Sequence, residues 1–256
     1  LKIIFYLPLL SKSHFCRFFA FLPALLLMLP LSAQEESKQT RTIRILFLNA
    51  PDDAPSTVHL HDGITSQEVE LPRMNLSALY QVPAGPLKLR LLAAPVEDPK
   101  LVPPEAPTIL IQETIGDAYL LCFSDPDNSV VPVRVKVVDA GKEKFRNGQM
   151  MWFNLTPHAI GGKLGDKKLR LKPYGREIVD APALGEEGSY PAIISYMIKG
   201  DERVHPICET RWMHDMSYRH LVFVFTETDQ RLPRIMGFSD FRPPPPPKPN
   251  PEVADP

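Results

Sequence analysis

The sequence predicts an all-β protein made of two small β-sandwiches in tandem, and three observations carry that expectation. The first is that the chain reads twice. Each half opens on a short aromatic strand ending in Asn, as Ile45-Leu46-Phe47-Leu48-Asn49 and then Met151-Trp152-Phe153-Asn154. Each half closes on an apolar strand, a polar turn and a Pro-led strand ending in Asp. Tyr119-Leu120-Leu121-Cys122-Phe123-Ser124, Asp125-Pro126-Asp127-Asn128 and Val131-Pro132 running to Asp139 form the first closing unit. Its counterpart is Leu221-Val222-Phe223-Val224-Phe225-Thr226, Glu227-Thr228-Asp229-Gln230 and Leu232-Pro233 running to Asp240. The second observation is spacing: short apolar runs recur roughly every 8–12 residues between Pro, Gly, Asp and Asn turns, the pattern of sandwiches and barrels. The third is that no segment shows the 3.6-residue periodicity of a long helix.

Taken in order, residues 1–33 read as a secretory signal peptide. Lys2, Lys12 and Arg17 precede an apolar run from Phe18 to Leu31, and Leu31-Ser32-Ala33 offers a small-residue cleavage site. The run contains Pro23 and Pro30 and is short for a bilayer span; left uncleaved, it would be the chain's one membrane contact. Residues 34–40 are a polar lead. The first unit, 41–140, has strand candidates at 43–49, 57–61, 68–71, 87–92, 108–112, 119–124 and 133–138. Asp62-Gly63 marks a tight turn, and Leu87-Lys88-Leu89-Arg90-Leu91 alternates between core and solvent. The stretch 74–80 is expected to make a turn or two of helix.

The second unit, 141–242, has candidates at 150–155, 168–171, 177–180, 192–198, 211–214, 220–226 and 234–237. Gly165-Asp166 occupies the place that Asp62-Gly63 holds in the first unit. Arg242 is followed by Pro243 to Pro247 and Lys248-Pro249-Asn250-Pro251, so 243–256 is expected to be a disordered, proline-rich polyproline II tail.

Composition narrows the function classes. Of 256 residues 44% are hydrophobic and 23% charged, as in an ordinary folded protein, and the formal net charge is −1. The first 33 residues are basic, so the remainder is mildly acidic. With no cluster of Lys and Arg, there is no electrostatic basis for binding nucleic acid.

Candidate chemistry is sparse. His59 and His61 alternate on one strand and project to the same face, half of a zinc or copper site, with Asp52, Asp53 and Asp62 nearby. No third or fourth ligand follows by spacing, so no metal is assigned. Asp125-Pro126-Asp127-Asn128 starts like a calcium loop but has Val130 at the sixth position and Lys136 at the twelfth; it is read as a hairpin turn. Cys122 and Cys208 fall at different places in the two units, and they are either two buried thiols or one bridge between the units. His205 and His214 lie near Cys208, but no orienting group for a catalytic pair is identifiable. Gly161-Gly162-Lys163-Leu164-Gly165-Asp166-Lys167 lacks the order of a phosphate loop. Glu209, Thr210, Arg211, Trp212 and Asp215 place polar groups around an aromatic. Trp152 and Trp212 are expected to fill the core of the second unit. Asn75-Leu76-Ser77 and Asn154-Leu155-Thr156 match the glycan acceptor pattern. No catalytic residue, metal ligand or cofactor is assigned, and binding residues stay open.

Residues 43–92 carry one further pattern: a strand (residues 43–49), the turn Asn49-Ala50-Pro51-Asp52-Asp53-Ala54-Pro55, a short strand to His61, Asp62-Gly63, and Pro83-Ala84-Gly85 before an alternating strand. This resembles DUF4397, a family of bacterial secreted Ig-like repeats of unknown function, with one extra residue in the turn. The resemblance implies an Ig-like β-sandwich in the cell envelope and brings no catalytic or binding residues with it. The function expected is therefore that of an exported, periplasmic or extracellular, non-enzymatic protein that binds or scaffolds an envelope protein. The alternative is a β-sandwich binding carbohydrate or another small ligand through Trp152, Tyr174, Tyr190 or Trp212.

Overall fold

The computed structural model describes residues 40–227, 230 and 232–242. The expected signal peptide, all but the last residue of the polar lead and the proline tail lie outside the described residues. The described chain is all-β. Its first half contains β1 (Thr40–Phe47), β2 (Thr57–His61), β3 (Ser66–Glu70), β4 (Tyr80–Pro83), β5 (Leu87–Leu92), β6 (Thr108–Ile111), β7 (Ala118–Ser124) and β8 (Val133–Asp139). Its second half contains β9 (Met150–Asn154), β10 (Ala159–Leu164), β11 (Lys167–Leu171), β12 (Arg176–Val179), β13 (Ser189–Met197), β14 (Val204–Met213), β15 (Tyr218–Phe225) and β16 (Arg234–Phe241).

These strands form four four-stranded sheets. The first half supplies β4-β1-β7-β8 and β3-β2-β5-β6; the second supplies β12-β9-β15-β16 and β11-β10-β13-β14. Strand for strand, the second pair of sheets has the order of the first. In each half the opening strand runs parallel to the strand that begins the closing unit, β1 beside β7 and β9 beside β15.

Alternation along the strands distributes their side chains among three cores. Ile43, Ile45, Phe47, Leu60, Leu89 and Leu120 pack between the two sheets of the first half. Trp152, Leu169, Ile194, Val222 and Val224 pack between the two sheets of the second. The intervening residues Leu46, Tyr119, Leu121, Met151, Phe153, Leu221 and Phe223 form a third core between the halves. The sheets containing β1 and β9 thus face each other, and both are covered on both sides. This is why β7 and β9 read as unbroken apolar runs: a strand buried on both faces has no polar side to alternate with.

One end of the middle core is closed by ions. Asp240, with no exposed surface, receives Arg219 and Arg242 on Oδ2 and lies 2.9 Å from Arg44 Nη1 through Oδ1. Tyr119 donates its phenolic hydrogen to the same carboxylate. Arg219 also lies over the Tyr119 and Phe145 rings, 5.5 and 5.2 Å from their centroids, and donates to the carbonyls of Ala140 and Phe145. Three cations around one buried anion tie the first half to the second at a specific register.

Several local expectations need correction. No helix forms over 74–80. Ser77 instead bonds to β1 through its backbone N–H to Ile45 O and through its hydroxyl, which accepts from Ile45 N. β4, which follows, is absent from the strands that the sequence pattern predicts. So is β10, whose Gly161-Gly162 reads as a loop in the sequence. A Cβ on Gly162 would sit 2.1 Å from Ile193 O, so glycine is what lets β10 lie against β13. β14 begins at Val204 rather than Arg211. Pro206 hides its first half, but an edge strand tolerates proline, and Ile207 is the extra residue of a bulge opposite Ile194 and Ser195. Asp62-Gly63 joins β2 to β3 and Gly165-Asp166 joins β10 to β11, equivalent turns with both glycines at positive φ.

Candidate functional site

The two halves differ in how their sheets meet. In the first, β6 packs against β8; in the second, the equivalent β14 and β16 do not close on each other. The gap is a groove of about 730 Å³ lined by Met150, Val222, Ile207, Trp212 and Ile235, with His214 and His220 also on its wall. Ile207, Trp212 and Ile235, which pack against the second-half core, are therefore only half-buried.

β14 borders this groove and is the edge of its sheet. At ten residues it is the longest strand described. Apolar side chains are exposed at both of its ends and on β13 beside it. Ile193 and Met197 of β13 project outward between buried Ala192, Ile194 and Tyr196. Met197 pairs with Val204, and Met213 pairs with Ser189, so all four apolar side chains share the outer face. Val204 is 62% exposed and Met213 79%. An uncovered edge beside an apolar face is a template for another chain.

The imidazoles in the groove are engaged. His214 Nε2 lies 2.7 Å from Gly148 O, and its ring is 4.7 Å from that of His220. Burial, reinforced by the charge on His220, moves His214 below its ordinary value despite the Gly148 contact. Cys208 lines the same groove, but burial raises its thiol. His205 stacks on Tyr196 and lies 3.1 Å from Asp201. Burial favours the protonated thiol of Cys208 over the nucleophilic thiolate, while His205 and His214 are engaged by Asp201 and the Gly148 carbonyl.

The other sequence candidates are dispersed. His59 is partly exposed and His61 is buried, with Nδ1 accepting from Gly63 N at 3.0 Å. No three His, Cys, Asp or Glu side chains converge on a metal-sized site among the described residues. Asp125 to Asn128 form the hairpin turn, with Asn128 Oδ1 accepting from Val130 and Val131 N–H. Cys122 sits in the first-half core and Cys208 beside the second-half core, so the middle core separates them, and both are free thiols. Asn154 is fully buried and bonded to His158 O, Lys172 O and Thr156, which leaves its amide inaccessible to a glycan; Asn75 is exposed. Of the four aromatics considered for ligand binding, Trp152 and Tyr190 are buried in the second-half core. Trp212 stacks on Trp152 at 5.9 Å and borders the groove, and Tyr174 is 69% exposed elsewhere. Glu209 and Arg211 project to the outer face of β14 beside the apolar residues. That apolar face escapes sequence reasoning because alternation tells which residues share a face, not whether anything covers it.

No helix among the described residues is long and apolar enough to cross a membrane. No protein-family model matches the chain, and no curated protein matches it in sequence.

Proposed function

We propose that this chain is an exported envelope protein, a tandem of two Ig-like β-sandwiches behind a cleaved signal peptide, that binds a protein partner and performs no catalysis. The DUF4397-like pattern of residues 43–92 and the matching strand orders of the two halves favour the Ig-like tandem. The observation that carries the binding function is β14: a ten-residue edge strand, exposed apolar side chains on its face, and an open groove along its side. An extended segment of the partner adds to β14 as a further strand and places its alternate apolar side chains into the groove.

The test is crosslinking in the native envelope followed by mass spectrometry, using the full chain, a chain ending at Arg242, and a Val204→Lys/Met213→Lys variant. The lysines place charge on the apolar face of the edge strand, where natural sheets use it to block pairing. The partner should be captured by the first two proteins and lost from the third. Capture that depends on residues 243–256 instead would move the docking element to the proline tail. No protein captured by any form would favour the alternative, a carbohydrate or small ligand held at Trp212.

A further inference from the structure

Asp240 and its arginines close one end of the middle core; the other end is open. There the ends of β1, β7, β9 and β15 and the start of β16 border a cleft of about 620 Å³. Its apolar lining includes Phe123, Phe153, Leu155, Phe225 and Met236. Four of these, Phe123, Leu155, Phe225 and Met236, are only partly covered by the core they extend. Apolar surface left bare at the junction of two packed units is where small molecules are usually held, and the volume is in the usual range.

The rim is not neutral. Arg73, Arg134 and Lys136 line it against Asp52 and Glu227, and Glu227 is already paired with Arg234. Arg134 and Lys136 alternate on β8 and so project to the same side, both exposed. Arg134 lies over the Phe123 ring, 5.0 Å from its centroid, and Lys136 pairs in register with Leu121 of the lining. Two residues of the mouth hold unusual backbone conformations. Asn49 (φ 50°) and Tyr174 (φ 55°) are two of the three non-glycine residues at positive φ among the described residues. Tyrosine is disfavoured there by its Cβ, and such conformations concentrate at ligand clamps.

We propose that this cleft binds an amphipathic anion, a carboxylate carrying an apolar chain or ring, with its body against Phe123, Phe225 and Met236 and its head group at Arg134 and Lys136. The two halves of the site argue for the two halves of the ligand. A small inorganic anion would leave the aromatic floor uncovered, and a neutral hydrocarbon would make no use of the cationic pair. The site is separate from β14, and neither proposal depends on the other.

The test is isothermal titration of the exported chain with decanoate and decylamine, each below its micellar concentration, and with decanol below its solubility limit. Decanoate should bind saturably with one site per chain. A head group held by charge-assisted hydrogen bonds should make decanol weaker by about tenfold or more, and decylamine should not bind. Arg134→Gln/Lys136→Gln changes exposed residues only; it should lower decanoate affinity by a similar factor and leave decanol unchanged. Met236→Trp, checked for an unaltered circular dichroism spectrum, should weaken both by filling the cleft. Val204→Lys/Met213→Lys should bind decanoate as the unmodified chain does. Absence of saturable decanoate binding would overturn the proposal. So would equal binding of decanoate and decanol, or decanoate binding that survives the double glutamine variant but is lost on changing β14.

Discussion

Arg44 in the first strand and Asp240 in the last lie 2.9 Å apart, so the two ends of the described chain meet at a wholly buried carboxylate. Arg219, Arg242 and Tyr119 converge on the same group. The cluster joins β1 and β7 of the first half to β15 and β16 of the second, and it excludes any register of the two facing sheets that separates them. Buried ion pairs are weak sources of stability but strong penalties for mispairing.

Asp240→Asn should therefore be among the most damaging single changes. It leaves three guanidinium groups around a site with no anion, and breaking a buried pair in this way costs about 3–5 kcal/mol. Arg44→Gln should cost less, because the Arg44 side chain is partly exposed and two cations remain. Urea denaturation of the two variants checks the order.

Acid should destabilise the protein in two stages. Burial pushes His214 below 6.5, aided by the charge on His220, so the unfolded chain takes up this proton first. The associated stability is complete above about pH 6.5 and falls as the pH drops below it. Burial alone would raise Asp240, but the Tyr119 hydrogen bond and the charges of Arg242 and Arg219 outweigh it and hold the carboxyl below 3.8. Its contribution is present above about pH 4 and is lost as the pH falls through the lowered folded value. Melting temperatures measured from pH 8 to pH 3 should show both declines, and His214→Gln should remove only the first.

Gly162→Ala and Gly161→Ala should behave very differently although they are neighbours. The first places a methyl 2.1 Å from Ile193 O, which belongs to a paired backbone and cannot move alone; the second meets nothing closer than 3.9 Å. Overpacking of this kind costs about 1–3 kcal/mol or more. Thermal melts should show a large loss for Gly162→Ala and little change for Gly161→Ala.

Neither Cys122 nor Cys208 should form a disulfide or react readily in the folded chain. Burial pushes the Cys122 thiol up to about 12, and Cys208 is raised as well. A thiol-specific reagent at pH 8 should label Cys208 slowly and Cys122 only after denaturation. Mass measurement under oxidising conditions should find no bridge between them.

How much of this was legible depends on the range of the interaction involved. β2 and β5 fall where alternation and the Asp62-Gly63 turn place them, and the two closing units appear as β7–β8 and β15–β16. β10 was hidden because Gly161-Gly162 carries no side-chain pattern; its strand exists through close contact with Ile193. The first half of β14 was hidden because Pro206 and a bulge disrupt alternation at a sheet edge. Trp152 and Tyr190 look alike to Trp212 and Tyr174 in sequence, yet two are core residues, Trp212 borders the groove and Tyr174 is exposed.

The sequence by itself determined the all-β class and the repeat of an opening strand and a closing hairpin in each half, because side-chain alternation and turn chemistry act within a few residues. Only the tertiary structure decided that the two halves share a core, that Arg44 of the first strand reaches Asp240 of the last, and that β14 and β16 leave a groove open. Those features depend on which sheet face meets which, and that choice is made by packing and charge pairing between residues that no local pattern connects.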